Sequence, residues 1–261
     1  MLSSPKFINL LITATSIVSI HSFRSIAANS WQFFIHQSLN FSLNSPALAS
    51  DRVKTKPKFR YVPPTRRAPK STQATGSRGC IQSQSQPVTL TLLAPKDHDG
   101  LTISGHPTFF WDVSAPAPMV FTLTVPGVAQ PLFEQQIQAQ SAGIVQLKMP
   151  QNLAELVPDR EYRWSVSLIC NQNRPSANAF VQSWIKRVPA TSQLKQKIAA
   201  TPSERDRAKI YAEAGLWYDA LEAISTVYKN NPKDTSLLED RLSLLEQVGL
   251  TLHQLPNTSS N

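Results

Sequence analysis

The chain has 261 residues, and its 26 Lys and Arg residues against 17 Asp and Glu residues give it a net charge of +9. The excess charge is local, because residues 51–79 hold nine basic residues and one acidic residue, whereas residues 80–261 hold 15 basic and 16 acidic residues. A nearly neutral folded part excludes the extended basic face of a nucleic-acid-binding domain, so no nucleic-acid partner is predicted.

The first 49 residues are predicted to be a signal peptide. Residues 7–20 form an apolar run that is shorter than the roughly 20 residues of a membrane-spanning helix. The small residues Ala47 and Ala49 mark a cleavage site after residue 49, and Ala27 or Ala28 marks an alternative site. Cleavage predicts a protein exported to the periplasm or the cell exterior, and an uncleaved leader that serves as an anchor is the alternative.

Residues 50–79 are predicted to be a disordered, basic, proline-rich linker. They show no apolar periodicity, and their like charges repel one another. A charge run of this kind is commonly a plain spacer. The alternative is binding to an anionic wall polymer or a lipid surface, which the alternation of Phe59 and Tyr61 with Lys58 and Arg60 supports.

Residues 80–189 are predicted to form an immunoglobulin-like β-sandwich of about seven strands. In the stretch 159–170, apolar residues such as Tyr162 and Trp164 alternate strictly with polar ones, as in a strand with one buried face. A tyrosine just after a Pro-Asp corner is typical of a central strand in such a sandwich. The other predicted strands are residues 88–94, 108–112, 120–125, 131–137, 144–149 and 178–187.

Cys80 and Cys170 are the two cysteines of the chain. In an oxidising compartment a lone pair at this spacing predicts a disulfide bond. The bond would join the segment before the first predicted strand to the end of the central strand. A free buried thiol, a catalytic thiol and a metal ligand are the alternatives.

Residues 190–252 are predicted to form a small helical hairpin domain, followed by a polar tail at 253–261. Together with the predicted β-sandwich, this gives an α+β fold overall. The apolar period changes to a helical one after Pro189, and Pro202 occupies the first turn of a predicted helix. Further helices are predicted at residues 192–199, 219–229 and 236–248.

Residues 201–234 resemble one tetratricopeptide repeat. The residues that match the pattern are Ala208, Tyr211, Gly215, Ala220 and Pro232. About three repeats are needed to build a binding groove, so the resemblance implies no peptide groove here. It implies a helical unit that packs against the sandwich or a partner.

Trp217 and Tyr218 follow the predicted turn between two helices. An exposed aromatic pair at this position would be an anchor for a protein partner. Burial against the sandwich is the more common arrangement of such a pair, because aromatic side chains bury a large apolar area.

The chain as a whole resembles a cyanobacterial family known as domain of unknown function 928. The matching segments are residues 78–80, 105–111, 161–164, 170, 181–187 and 211–221. The resemblance implies an exported protein with this two-part layout, and it implies no activity.

No residue is predicted to be catalytic or to bind a metal or cofactor, and the protein is predicted not to be an enzyme. The loop with Asp97, His98 and Asp99, together with His106, contains ligands that suit a divalent cation, but a polar surface turn has the same composition. Three further acids, Glu204, Glu213 and Asp219, could supply a catalytic carboxylate pair, whereas helix capping and surface ion pairs are the structural alternative.

These observations predict an exported, non-enzymatic interaction or scaffold protein of the cell envelope with an unknown protein partner. The alternative is a periplasmic carbohydrate-binding protein or hydrolase that uses loops at one end of the sandwich.

Overall fold

The computed structural model describes residues 59–64, 73–75, 87–171, 173 and 178–252. The predicted signal peptide at 1–49, the predicted tail at 253–261 and Cys80 lie outside these residues. Within the described part, no helix is both long and apolar enough to cross a membrane.

The described residues contain nine strands, arranged in two sheets. The strands are β1 (Gln73–Thr75), β2 (Leu90–Leu92), β3 (Gly100–Thr102), β4 (Thr108–Val113), β5 (Ala117–Thr124), β6 (Phe133–Ala139), β7 (Gly143–Lys148), β8 (Glu161–Leu168) and β9 (Phe180–Arg187). One sheet has the order β1-β9-β8-β5-β6, with β3 pairing in parallel with β9, and the other has the order β2-β4-β7. The short strands β1 and β3 were not predicted from the sequence.

The two sheets face each other through aromatic side chains. Phe109 on β4 contacts Phe121 on β5 and Trp164 on β8, with ring centroids 4.8 and 5.1 Å apart, and Trp111 stacks on Phe121. All four side chains are fully buried. In β8 every second residue is buried, as the alternation in the sequence predicted, because successive side chains of a strand point to opposite faces.

The entry to β8 is a tight corner. Asp159 adopts a φ of 61°, and its N–H donates to the carbonyl of Arg187 at 2.7 Å. The backbone N–H of Val157 donates to the hydroxyl of Tyr162 at 2.8 Å, which ties the corner to the second residue of β8. The corner therefore has a defined geometry.

Four helices follow the strands. They are α1 (Ser192–Ala199), α2 (Glu204–Glu213), α3 (Trp217–Asn230) and α4 (Thr235–Glu246). The side chain of Ser203 accepts a hydrogen bond from Asp206 N and so caps α2, and Asp234 caps α4 in the same way. Gly215, with a φ of 75°, makes the turn into α3, which begins at Trp217, two residues earlier than predicted.

The helices share the core of the sheets. Trp217 donates from Nε1 to the carbonyl of Leu93 at 2.9 Å, and Lys148 on β7 pairs with Glu222 on α3 at 2.7 Å. The strands and helices belong to one compact unit, residues Lys54–Asn261. The predicted boundary after residue 189 thus separates strands from helices along the chain, but the two parts have a common core.

Part of the predicted disordered linker is ordered. Phe59 and Tyr61 are buried in the core, the N–H of Val62 donates to the carbonyl of Ala212 at 3.0 Å, and residues 73–75 form β1 on the edge of the larger sheet. We call residues 59–64 the arm. Disorder was predicted from the charges of this segment. Its two aromatic residues, Phe59 and Tyr61, are buried, and their burial stabilises the docked arm.

Candidate functional site

A cavity of about 330 Å³ opens where the end of β3 meets α2 and α3. Its walls combine carboxylates, hydroxyls and two apolar side chains. The lining residues are Ile103, Ser104, Glu204, Tyr211, Asp219, Glu222 and Ala223. We call this cavity the acidic pocket.

Asp219 lies in the first turn of α3 and connects the helix to the chain that leaves β3. Its Oδ2 accepts a hydrogen bond from the backbone N–H of Ile103 at 3.2 Å, and the hydroxyl of Thr102 also bonds to the carboxyl group. The carboxyl is surrounded by protein but keeps partial access to solvent. Burial raises its pKa to about 7, and the nearby Glu222 contributes to the rise.

The other two carboxylates of the acidic pocket have cationic partners. Glu204 pairs with Arg207 one helical turn later, and Glu222 pairs with Lys148. Burial also raises the pKa of Tyr211, with Asp219 and Glu204 adding to the effect. The acidic pocket therefore holds two ion-paired carboxylates beside one carboxyl that changes its charge near neutral pH.

The structure brings together two of the three acids that the sequence singled out. Glu204 and Asp219 line the same cavity, whereas Glu213 lies on the surface, where it pairs with Lys197 at 3.4 Å. Glu222 and Tyr211 were not predicted to belong to a site. The signal for Glu222 was its position three residues after Asp219, which places both on one face of a helix.

His98 connects the arm to the loop between β2 and β3. Its Nε2 lies 2.8 Å from the hydroxyl of Tyr61, and its Nδ1 lies 2.7 Å from Oδ1 of Asp97. Nδ1–H donates to the Asp97 carboxylate, and Nε2 shares a hydrogen bond with the Tyr61 hydroxyl, whose pKa is raised by burial. This hydrogen-bonded chain ends on a buried phenol, which holds the arm against the sheet.

The two histidines considered as metal ligands do not share a site. His106 lies 2.9 Å from the carbonyl of Leu153 through Nε2, whereas His98 bonds to Tyr61 and Asp97. Among the described residues, no group of three or more His, Cys, Asp or Glu side chains is arranged to hold a metal ion.

Trp217 and Tyr218 are buried, with 0% and 1% of their surface exposed, so they do not form an exposed anchor. The hydroxyl of Tyr218 accepts from Trp164 Nε1 at 2.7 Å and donates to the carbonyl of Trp184 at 3.1 Å. The pair therefore fixes α3 against the sheets, which is the buried arrangement that the large apolar area of the two side chains favours.

The predicted disulfide cannot be compared with the structure, because Cys80 lies outside the described residues. Cys170 follows the end of β8, and its backbone N–H donates to Oδ1 of Asn178 at 3.0 Å. The bond stays a prediction.

Comparison with known proteins identifies the family of the chain. A search of the curated proteins found no match. The model of one family, described as Domain of Unknown Function (DUF928), matches residues 73–258, which include all the strands and helices of the described part. Because this match covers more than half of the chain, the protein belongs to the DUF928 family.

Proposed function

We propose that the protein is an exported, non-enzymatic interaction or scaffold module of the cell envelope. The observation that carries the proposal is the docking of the arm on the folded unit. The arm is fixed by the burial of Phe59 and Tyr61 and by a hydrogen bond from Tyr61 N to Oε1 of Gln247 at 2.9 Å. Gln247 also donates from Nε2 to the carbonyl of Phe59 at 2.8 Å.

Docking of the arm holds Arg60 at the surface of the folded unit. Arg60 within the arm is exposed, and further basic residues precede and follow the arm in sequence. Since residues 80–261 are nearly neutral, this basic region is the part of the protein suited to an acidic protein surface, an anionic wall polymer or lipid headgroups. The flanking basic residues are Lys54, Lys56, Lys58, Arg66, Arg67 and Lys70.

The same proposal includes an immunoglobulin-like sandwich and a tetratricopeptide-like helical hairpin. The hydrogen bond from Val157 N to the Tyr162 hydroxyl is the geometry of a tyrosine corner, which supports an immunoglobulin-like arrangement of the two sheets. The helices α2 and α3, joined at Gly215, support a tetratricopeptide-like hairpin. The resemblance to a cyanobacterial family supports an origin in that group.

Binding to a partner through the basic region is tested by a pull-down from envelope extracts at two salt concentrations. Deleting residues 50–79 would remove the docked arm, so the variant keeps the arm and carries Arg66→Gln, Arg67→Gln and Lys70→Gln. A control with the same charge change replaces three exposed lysines, through Lys195→Gln, Lys229→Gln and Lys233→Gln.

We expect a specific partner to be retained by the wild type and the control. Loss of that partner from the Arg66–Arg67–Lys70 variant would assign the contact to the basic region, and persistence at high salt would distinguish a protein partner from a polymer held by charge alone. Capture of nothing specific by any of the three proteins would refute the interaction module.

Export is tested through the predicted disulfide between Cys80 and Cys170. In protein recovered from the periplasm or the medium, we expect both thiols to resist alkylation until a reductant is added. The Cys80→Ser variant should leave Cys170 open to alkylation and lower the stability by about 2–5 kcal/mol. Free thiols in the native protein would contradict both the bond and the oxidising compartment.

A second candidate function is a periplasmic carbohydrate-binding protein or hydrolase. It is supported by the acidic pocket, in which Asp219 with a pKa of about 7 lies beside the carboxylates of Glu204 and Glu222. Glycoside hydrolysis uses a pair of carboxyl groups, one of which is kept protonated by a raised pKa. Saturation-transfer NMR with cell-wall oligosaccharides tests it, because a signal that the Asp219→Asn variant loses would favour this function and no signal would exclude it for those sugars.

A further inference from the structure

The strand β6 (Phe133–Ala139) has an open side. It pairs along its length with β5, and among the described residues no strand pairs with its other side. The side chains of Glu134, Gln136 and Gln138 are exposed on the outer face of the sheet. A strand in this position offers backbone donors and acceptors to a further strand.

The direction of each backbone group on β6 follows from the neighbouring pairs. The N–H of Ile169, next to the end of β8, donates to the carbonyl of Pro118 on β5 at 2.9 Å, so the even-numbered residues of β5 point toward β8. The odd-numbered residues of β5 therefore point toward β6, where Phe121 pairs with Gln135 and Met119 with Ile137.

The remaining residues of β6 point away from β5. Since the backbone groups of successive residues in a strand face opposite sides, the N–H and C=O groups of Glu134, Gln136 and Gln138 face the open side. These three residues are the ones that another strand can reach.

This edge lacks the features that normally prevent strands from pairing between molecules. The pairing with β5 is continuous from 133 to 139 without a bulge, and β6 contains no proline, no lysine and a single charged residue, Glu134. The strand β7, which also has an open side, begins at Gly143 with a φ of 128° and ends at Lys148. Protection by charge or backbone shape is thus weaker at β6.

We propose that β6 binds the same strand of a second copy of this chain, in an antiparallel pair with Gln136 on the twofold axis. In this register Gln136 faces its own copy, and Glu134 faces Gln138 of the second copy on both sides of the axis. All the outward-facing backbone groups are then paired, in about six hydrogen bonds. The two six-stranded sheets become one continuous sheet across the dimer.

The side chains are complementary in the same register. Glu134 meets the neutral amide of Gln138, and the two Glu134 carboxylates are separated by four residue positions, about 13 Å along the strand. Two glutamine amides meet at the axis, where each can donate to the other. The interface is isologous, as a closed dimer requires. The proposal goes beyond the interaction module and does not depend on its partner.

The test is the oligomeric state of the full chain, measured by size-exclusion chromatography with light scattering from about 1 to 100 µM. We expect a concentration-dependent dimer that persists under reducing conditions. The Gln136→Pro variant removes an outward N–H that β5 does not use, so it should fold and weaken the dimer at least about tenfold.

Two lysine substitutions distinguish this register from a general effect of charge. Gln136→Lys places two ammonium groups opposite each other at the axis and should produce a monomer. Gln138→Lys places an ammonium group opposite Glu134 and should retain or strengthen the dimer. Circular dichroism of each variant checks the fold, and the lysine pair decides the question if Gln136→Pro fails to fold.

A wild type that is monomeric over the whole range would overturn the proposal, even if it binds a strand from another protein. A dimer that is weakened equally by Gln136→Lys and Gln138→Lys would overturn this register. Neither result bears on the pull-down experiment, which the dimer-deficient variants can repeat.

Discussion

Replacing Asp219 with asparagine is expected to stabilise the protein above pH 7 and to change little near pH 4. The pKa of this carboxyl rises from 3.8 to about 7 in the folded protein, so the folded state holds the proton more tightly than the unfolded state does. The contribution of this carboxyl to the free energy of unfolding is therefore greatest below about pH 4, falls as the pH rises toward 7, and stays low above it. Asparagine is neutral at every pH, and its amide oxygen can still accept from the N–H of Ile103.

The size of the effect has an upper bound. Each unit of pKa difference corresponds to about 1.4 kcal/mol, so a rise from 3.8 to about 7 gives at most about 4 kcal/mol. Asp219 keeps partial access to water, which lowers the cost of its charge. We therefore expect a gain of about 1–2 kcal/mol at pH 8, or roughly 3–6 °C in Tm for a chain of this size.

Urea unfolding followed by tryptophan fluorescence, from pH 4.5 to 8.5, measures this gain. The control is Asp234→Asn at the cap of α4, where the Ser236 hydroxyl lowers the pKa of the Asp234 carboxyl. Its protonation change falls at acidic pH, so the control should have the same pH dependence as the wild type between pH 5 and 8. If Asp219→Asn lowers the stability at pH 8, the carboxylate is ionised there and is stabilised by Thr102 and Ile103.

Three further substitutions test the packing of the arm and of α3. Gly100→Ala places a Cβ 2.5 Å from Cε2 of Tyr218, whose hydroxyl is held by hydrogen bonds. Urea unfolding should therefore show a free energy of unfolding that is lower by about 1–3 kcal/mol, whereas an unchanged midpoint would show that the ring moves. Tyr61→Phe leaves Nε2 of His98 without its phenol partner and should lower the free energy of unfolding by about 1–3 kcal/mol in the same assay, whereas an undocked arm predicts no change. Gln247→Ala removes two hydrogen bonds to the arm, so hydrogen exchange in residues 59–64 should accelerate, and exchange at the wild-type rate would contradict the docking.

The sequence predicted the elements whose signals are local. The alternation around Trp164 identifies β8, and the Thr-Pro-Ser-Glu run near Ser203 identifies the start of α2, because strand period and helix caps are set by neighbouring residues. The overall α+β class follows from these elements.

The sequence did not reveal features that depend on contacts between distant segments. The acidic pocket joins Ser104 in the loop after β3, Tyr211 on α2 and Asp219 on α3, and no local pattern brings them together. The burial of Tyr61 depends on His98 and Trp217 in the folded protein, whereas its sequence neighbours indicate only charge and flexibility. Tertiary contacts outweighed local composition in both cases.

The contact between the arm and α4 bears on how the chain can be made. Gln247 bonds to Tyr61 across 186 residues of sequence and to Phe59 across 188. A ribosome releases the arm long before Gln247, so Phe59 and Tyr61 have no complete binding surface until the segment up to Gln247 has been made. Closing so long a loop is slow compared with forming local helices. The core is therefore completed only after α4 and Gln247 have been synthesised, and a docked arm distinguishes such a chain from one that stopped short of α4.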